Sequence, residues 1–208
     1  MKIKNLVLML AVLTISVFVF NGCSAKQNEQ IQKENNSMSF MDLAKKRFSV
    51  RKYSDKPLEK EKLDKILAAG NIAPTAMNLQ PQRIYVIQSK KNLEKLDTLT
   101  HCRYGAGTVL LFTYNTDEDW KNPKEKGIRS GIEDVSIVAT HIMFEATELG
   151  VDTTWCNYFA NSELEKMFNI PKNEKSVLIM PIGYRAEDSV PSPMHEQKKD
   201  ITETVKYI

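Results

Sequence analysis

The 208-residue chain sets 29 Lys+Arg against 26 Asp+Glu, a formal net charge of +3, with 42% hydrophobic and 26% charged residues. That is ordinary globular composition for one good-sized domain or two small ones, and the near-neutral balance argues against nucleic acid, which needs a basic stripe or patch, as the main partner. Three cysteines are too few for a disulfide scaffold, and eight glycines and eight prolines without any repeat exclude collagen-like and low-complexity classes.

Lys2 and Lys4 open the chain, and an uncharged run from Leu6 to Phe20 follows, broken only by Thr14 and Ser16. The run is short for a bilayer span, which needs about 20 apolar residues, and has the length of a signal-peptide core. Asn21-Gly22-Cys23 then resembles the lipobox of bacterial lipoproteins. The resemblance implies a signal peptide over 1–22, a lipid on Cys23, and an outward-facing protein anchored to the bacterial cell membrane. An uncleaved anchor and a buried apolar helix are the alternatives. In residues 24–37 only Ala25 and Ile31 are apolar, too little burial to offset the entropy of ordering, so 23–37 is expected to be a lipidated cysteine followed by a disordered tether. The folded domain is expected over 38–208, long enough for one sizeable core.

Within that domain, Asp42–Arg47 reads as a short helix. Glu59–Ala69 reads as a longer one, with Leu63, Ile66 and Leu67 on one face and Gly70 as a stop. Arg83–Ile87 alternates like a strand, and Ser89 is placed to cap a helix running to Leu96. Thr108–Tyr114 is a continuous apolar run of strand length, and Thr116–Ser130 a long polar loop carrying Trp120, which either lids a site or packs on its own loop. Ile132–Leu149 is the strongest helix, with Val135, Val138, Ile142, Ala146 and Leu149 in period and Gly150 after them. Val151–Trp155 reads as a short strand, Ser162–Phe168 as a helix capped by Asn161, and Ser176–Tyr184 as a buried strand. Helices and strands mix without βαβ alternation, which points to an α+β domain whose sheet is covered by helices.

Several chemistries lack their residues. Gly105 and Gly107 precede a strand, and Leu110 stands where a third glycine would, so there is no dinucleotide fingerprint. There is no phosphate-loop sequence, no nucleophile elbow, no CxxC, and no metal-ligand spacing among His101, His141 and His195. His141 reads as a structural histidine in mid-helix. Cys102 and Cys156 read as two unrelated buried thiols, with pairing in an oxidising compartment the alternative.

Two stretches do carry chemistry. Arg47-Phe48-Ser49-Val50-Arg51 sets two guanidinium groups and a hydroxyl on alternate residues, which point the same way in an extended chain. Such a set suits a phosphate or an anionic ring edge, although a solvated edge has the same pattern. In Pro74-Thr75-Ala76-Met77-Asn78-Leu79-Gln80-Pro81, the carboxamides of Asn78 and Gln80 both donate and accept, as the edge of a pyrimidine or flavin ring requires. A capped loop is the alternative.

In this order the two stretches resemble the FMN-dependent nitroreductase family. The likeness continues through Asp134–Gly150 to Trp155, through Val177–Tyr184 and, loosely, through Lys198-Lys199-Asp200-Ile201. The resemblance implies a central antiparallel or mixed sheet covered by helices, in an intertwined homodimer with FMN at the subunit interface. Arg47 and Ser49 would hold the phosphate, helped by Lys198 or Lys199. Arg51, the one candidate catalytic group, would lie at the ribityl chain or the pyrimidine edge and stabilise negative charge on the reduced ring. Asn78 and Gln80 would hydrogen-bond the ring and ribityl hydroxyls. Pro74, Thr75 and Ala76 would lie near the ring from the partner, and Pro181, Ile182 and Gly183 beside it. Ile201, Val205 and Ile208 would serve the dimer. The sequence departs from the family at Gln82, Thr140, His141, Cys156 and Asn157. The implied reaction passes hydride from NAD(P)H to flavin N5, then electrons to a nitroarene or quinone, in ping-pong order. An exported FMN-binding electron relay without NAD(P)H activity is the alternative.

Overall fold

The computed structural model describes residues 38–208; the signal peptide read over 1–22, the lipidation site Cys23 and the tether to residue 37 lie outside the described residues. Chain order is α1 (Phe40–Lys46), α2 (Lys60–Asn71), a 3₁₀ turn (Ala76–Asn78), β1 (Gln82–Ile87), α3 (Lys90–Asp97), β2 (Thr108–Asn115), α4 (Gly131–Glu148), β3 (Asp152–Thr153), α5 (Asn161–Met167), β4 (Glu174–Gly183), a second 3₁₀ turn (Pro193–Glu196) and α6 (Ile201–Thr204). The described strands form one antiparallel sheet in the order β1-β2-β4-β3.

β2 and β4 lie at its centre with both faces covered, which is why they read as unbroken apolar runs rather than alternating ones. Leu110, Phe112 and Tyr114 of β2 and Leu178, Met180 and Ile182 of β4 pack with Leu63 and Ile66 of α2 and Val135, Val138, Ala139 and Ile142 of α4. Val109, Leu111 and Ile179 point the other way, onto Leu93 and Leu96 of α3 and Leu164 of α5. The product is a three-layer α+β sandwich.

Three local readings change. Gly70 does not end α2. It is buried within the helix, and a Cβ there would stand 2.7 Å from the Ile142 side chain, so its role is close approach of α2 to α4. Gly150, at φ +71°, stops α4 as expected. Asn161 is the first residue of α5 rather than its cap; its amide donates to Ser176 O at 2.6 Å and joins α5 to β4. β3 is two residues long because Pro181, opposite Thr154, has no N–H to return: Thr154 N still donates to Pro181 O (3.1 Å), and two-way pairing with β4 resumes at the Cys156–Ile179 bridge. Ser89 caps α3 as expected, accepting from Asn92 N. His141 Nδ1 pairs with Ile137 O at 2.9 Å, a structural role. Ser130 N donates to Trp120 O (3.0 Å) and Trp120 N to Ser130 Oγ (3.1 Å), which closes the Trp120 loop on itself.

Gly131 starts α4 directly against the Tyr114 ring, where a Cβ would meet ring carbons at 2.2 and 2.4 Å. Gly131→Ala must displace that buried ring, with an expected loss of about 1–3 kcal/mol. A thermal midpoint equal to wild type would refute this account of the contact.

Candidate functional site

The Arg47–Arg51 stretch runs extended along the open side of β3. Val50 N donates to Thr153 O (3.3 Å), and Thr154 Oγ1 donates to Val50 O. Phe48 and Val50 turn inward, forming a small cluster with Tyr53 and Ala106. Ser49 and both arginines therefore face outward, as the alternation requires. Tyr53 pins the next turn: its phenol donates to Pro181 O (3.0 Å) and meets Thr154 Oγ1 at 3.2 Å, and burial pushes its pKa up. The C-terminal tail returns to the same place. Ser192, Met194 and His195 close a cavity of about 200 Å³ with Phe48, Ser49 and Arg51, and the His195 ring meets Phe48 edge-on.

The electrostatics of this cavity are unusual for the molecule. Four of the six arginines hold a carboxylate through two hydrogen bonds: Arg83 on Glu118 from Nη2, and Arg103 on Asp97, Arg129 on Asp119 and Arg185 on Asp152 from Nε and Nη2 together. Arg47 and Arg51 are the other two, and among the described residues neither is in an ion pair. Arg47 is half-buried, and burial draws its pKa down, the sign of a cation short of counter-charge. A planar donor fork, a hydroxyl and a cavity edge without a carboxylate make an anion site. Lys198 Nζ is engaged by His195 O one turn away, and Lys199 is exposed nearby in sequence.

The second stretch is built differently. Met77, Asn78 and Gln80 all have positive φ (51°, 56° and 50°), three of the five such non-glycine residues described. Each costs of order 1–3 kcal/mol unless its surroundings over-determine it. Here they do. Asp134, buried in the first turn of α4, accepts from Ala76 N (2.8 Å) and from Ser130 Oγ (2.6 Å). Thr75 Oγ1 accepts from Gln80 N (3.1 Å), and Pro81 O from Asn115 N (2.8 Å). The Asn78 and Gln80 carboxamides are left exposed, 3.3 Å from each other. Apolar Ile72 (80% exposed), Met77 (79%) and Ile132 (60%) surround them in sequence and along α4.

The structure does not bring the two stretches together within one chain. The loop sits where Gln82, Asn115 and the start of α4 meet; the arginine stretch sits at the opposite end of the sheet, beside Thr153, whose partner Ile182 faces Thr108. The length of β2 separates them by about 23 Å, and packed helices cover the sheet faces between. Pro181, Ile182 and Gly183 are buried in β4. Ile182 and Gly183 line a different cavity, of about 270 Å³, with Tyr53, Ser54, Gly107 and Thr108. Tyr53, Thr154 and Asp134, which hold the two halves in place, were not singled out as site residues. The one signal for Asp134 was an acid four residues after Ser130 at the start of a strong apolar period.

Residues 44–104 and 103–184 match the sequence profile described as the nitroreductase family. The crystal structure of a nitroreductase family protein from Clostridium difficile 630 is 38% identical, covering 82% of this chain and 98% of that one, with a TM-score of 0.76. The structure of an FMN-dependent nitroreductase from C. difficile R20291 is 27% identical over 81% and 98% of the two chains, with a TM-score of 0.65. An NADPH-dependent oxidoreductase from Staphylococcus haemolyticus is 24% identical over 73% of this chain and 67% of its own length. The chain belongs to the nitroreductase family.

Proposed function

We propose that the protein is an FMN-dependent NAD(P)H oxidoreductase that works as a homodimer, each cofactor gripped by Arg47, Ser49 and Arg51 of one chain and by the Pro74–Gln80 loop of the other. The observation that carries the shared site is the separation of about 23 Å between the two stretches, too far for one flavin to use both within a chain. A second copy offers the missing half. Exposed Ile132 and Ile137 on α4, with Met77 and Leu79, supply an apolar face for it, and Ile201, Val205 and Ile208 of the tail another.

The donor set fits the cofactor. Arg47 and Ser49 would hold the phosphate, with Lys198 or Lys199 closing from the tail. Asn78 and Gln80 would read the ring edge and the ribityl hydroxyls, and Pro74, Thr75 and Ala76 would lie against the ring. Pro181, Ile182 and Gly183 would back the site through Tyr53 and Thr154. When bound, FMN supplies the two-electron chemistry between NAD(P)H and an electron-poor acceptor such as a nitroaromatic or quinone. Arg51, exposed and unpaired by carboxylate, would stabilise negative charge developing on the ring edge. No side-chain nucleophile is needed. The N-terminal sequence would place the enzyme on the outer side of a bacterial membrane, anchored through Cys23.

The absorbance spectrum of the purified chain should show flavin bands that bleach anaerobically with NADH or NADPH. Bands that persist would leave the cofactor and favour the electron relay; no flavin after reconstitution would overturn the reading. Arg51→Ala should slow NAD(P)H oxidation by roughly tenfold or more, and retained flavin with full turnover would remove its role. Arg47→Ala should weaken FMN binding by roughly 10- to 150-fold, the worth of a charged hydrogen bond, and an Asn78→Ala/Gln80→Ala double variant should also bind poorly. Mixed chains of the two variants should recover one intact site per pair. Failure to recover any would disprove a site shared between chains.

A further inference from the structure

Two thiols stand beside the arginine stretch and have no part in the reading above. Cys102 lies in the turn after α3 and Cys156 just beyond β3, and both side chains are buried in the one cluster under α3 and α5. The backbone holds them there. Tyr53 N donates to Tyr104 O (3.1 Å), two residues after Cys102, and Val50 N to Thr153 O (3.3 Å), three before Cys156. The Val50–Tyr53 backbone, with Arg51 in the middle, therefore staples the two cysteine-bearing segments together from outside. The described residues contain these two cysteines, both with free thiols.

Their surroundings differ. Tyr104 Oη donates to Cys102 Sγ (3.5 Å), and the Thr100 hydroxyl and the Arg51 charge lie beside it. Cys156 Sγ accepts from Tyr158 N at 3.3 Å, and its backbone is bridged to Ile179 of β4. We propose that Cys102 and Cys156 form a reversible dithiol–disulfide couple, with Cys102 the attacking sulfur, Cys156 the resolving sulfur, and a disulfide-bearing molecule as oxidant. The Cys102 thiolate attacks one sulfur of the oxidant disulfide, forming a mixed disulfide and releasing one thiolate. The Cys156 thiol then gives up its proton to solvent, and its thiolate attacks the Cys102 sulfur, releasing the second thiolate. The protein loses two electrons and two protons; the oxidant gains them and leaves as two thiols.

The ionisation of the pair runs the way this order needs. Burial pushes Cys102 up, but hydrogen bonds from Cys156, Thr100 and Tyr104 and the Arg51 charge more than offset it, so its pKa is lowered. Burial, and the Cys102 thiol beside it, push Cys156 up to about 12, which keeps it protonated until the mixed disulfide forms. Both cysteines are buried, Cys102 4% and Cys156 6% exposed, and the residues beside them in the chain, His101 and the exposed Tyr158, tilt their rings together at 5.4 Å.

The test uses the full chain, equilibrated without oxygen in graded mixtures of reduced and oxidised dithiothreitol, quenched with acid, alkylated and mapped by mass spectrometry. Cys102 and Cys156 should become protected together in one two-electron transition, with a cross-linked peptide pair in which Cys23 takes no part. Treated with glutathione disulfide, Cys156→Ser should trap glutathione on Cys102, and Cys102→Ser should leave Cys156 at least tenfold slower to react. Both thiols alkylating across the whole series, oxidation at separate points, or faster capture by Cys156 would overturn the proposal. The readout is a thiol mass, so it stands or falls apart from the flavin reading.

Discussion

The antiparallel pairing of β2 with β4 is buried on both faces, so its backbone groups have no solvent to turn to and must be satisfied across the ladder. That requirement fixes the register over the whole length of β2, with a single shift between Phe112 and Thr113. Each end of the ladder then becomes a mounting point. At one end Asn115 ties down Pro81 and the Tyr114 ring meets Gly131, which together place the strained loop and the start of α4. At the other, Ile182 pairs with Thr153, and Thr153 receives Val50. The arginine stretch is thus an edge cover for β3, and a covered edge is also one that does not pair with another sheet.

Both halves of the site hold unfavourable arrangements in the free chain. Arg47 is half-buried without a carboxylate, though the other arginine forks away from this stretch all have one. The Met77–Gln80 loop holds three left-handed residues whose side chains could all have been glycine. A dianionic phosphate would neutralise the first, and a flat polar ring would use the amides that the second displays. Asp134 and Thr75 fix the loop backbone that carries those amides.

The sequence carried the periodic parts of this architecture well. Unbroken apolar strands, the α4 stripe and the Ser89 cap rest on local physics, and each stands close to where it was expected. Positions decided by a distant partner were opaque. Gly70 resembles a helix stop until Ile142 is seen against it, and Asn161 resembles a cap until Ser176 takes its amide. The alternation of Arg47, Ser49 and Arg51 was legible because extended backbone has period two. The distance between that stretch and Asn78 was not, because nothing local records the direction in which β1 and β2 run. Cys102 and Cys156 looked unrelated for the same reason: their meeting is set by Tyr104 and Thr153, each pinned to a third segment.

The tail has a further consequence. α6 is a single turn fixed by a complete capping box at Asp200 and Glu203, yet Ile201 is 71% and Tyr207 98% exposed. Local hydrogen bonding has shaped an arm whose greasy side chains have nowhere to go in one chain. If a second copy buries them, folding and association share one free energy, and the melting temperature rises with protein concentration. Dilution would then do more than separate subunits. It would release a sticky species, and the cell's supply of this chain would decide how much of it stays folded.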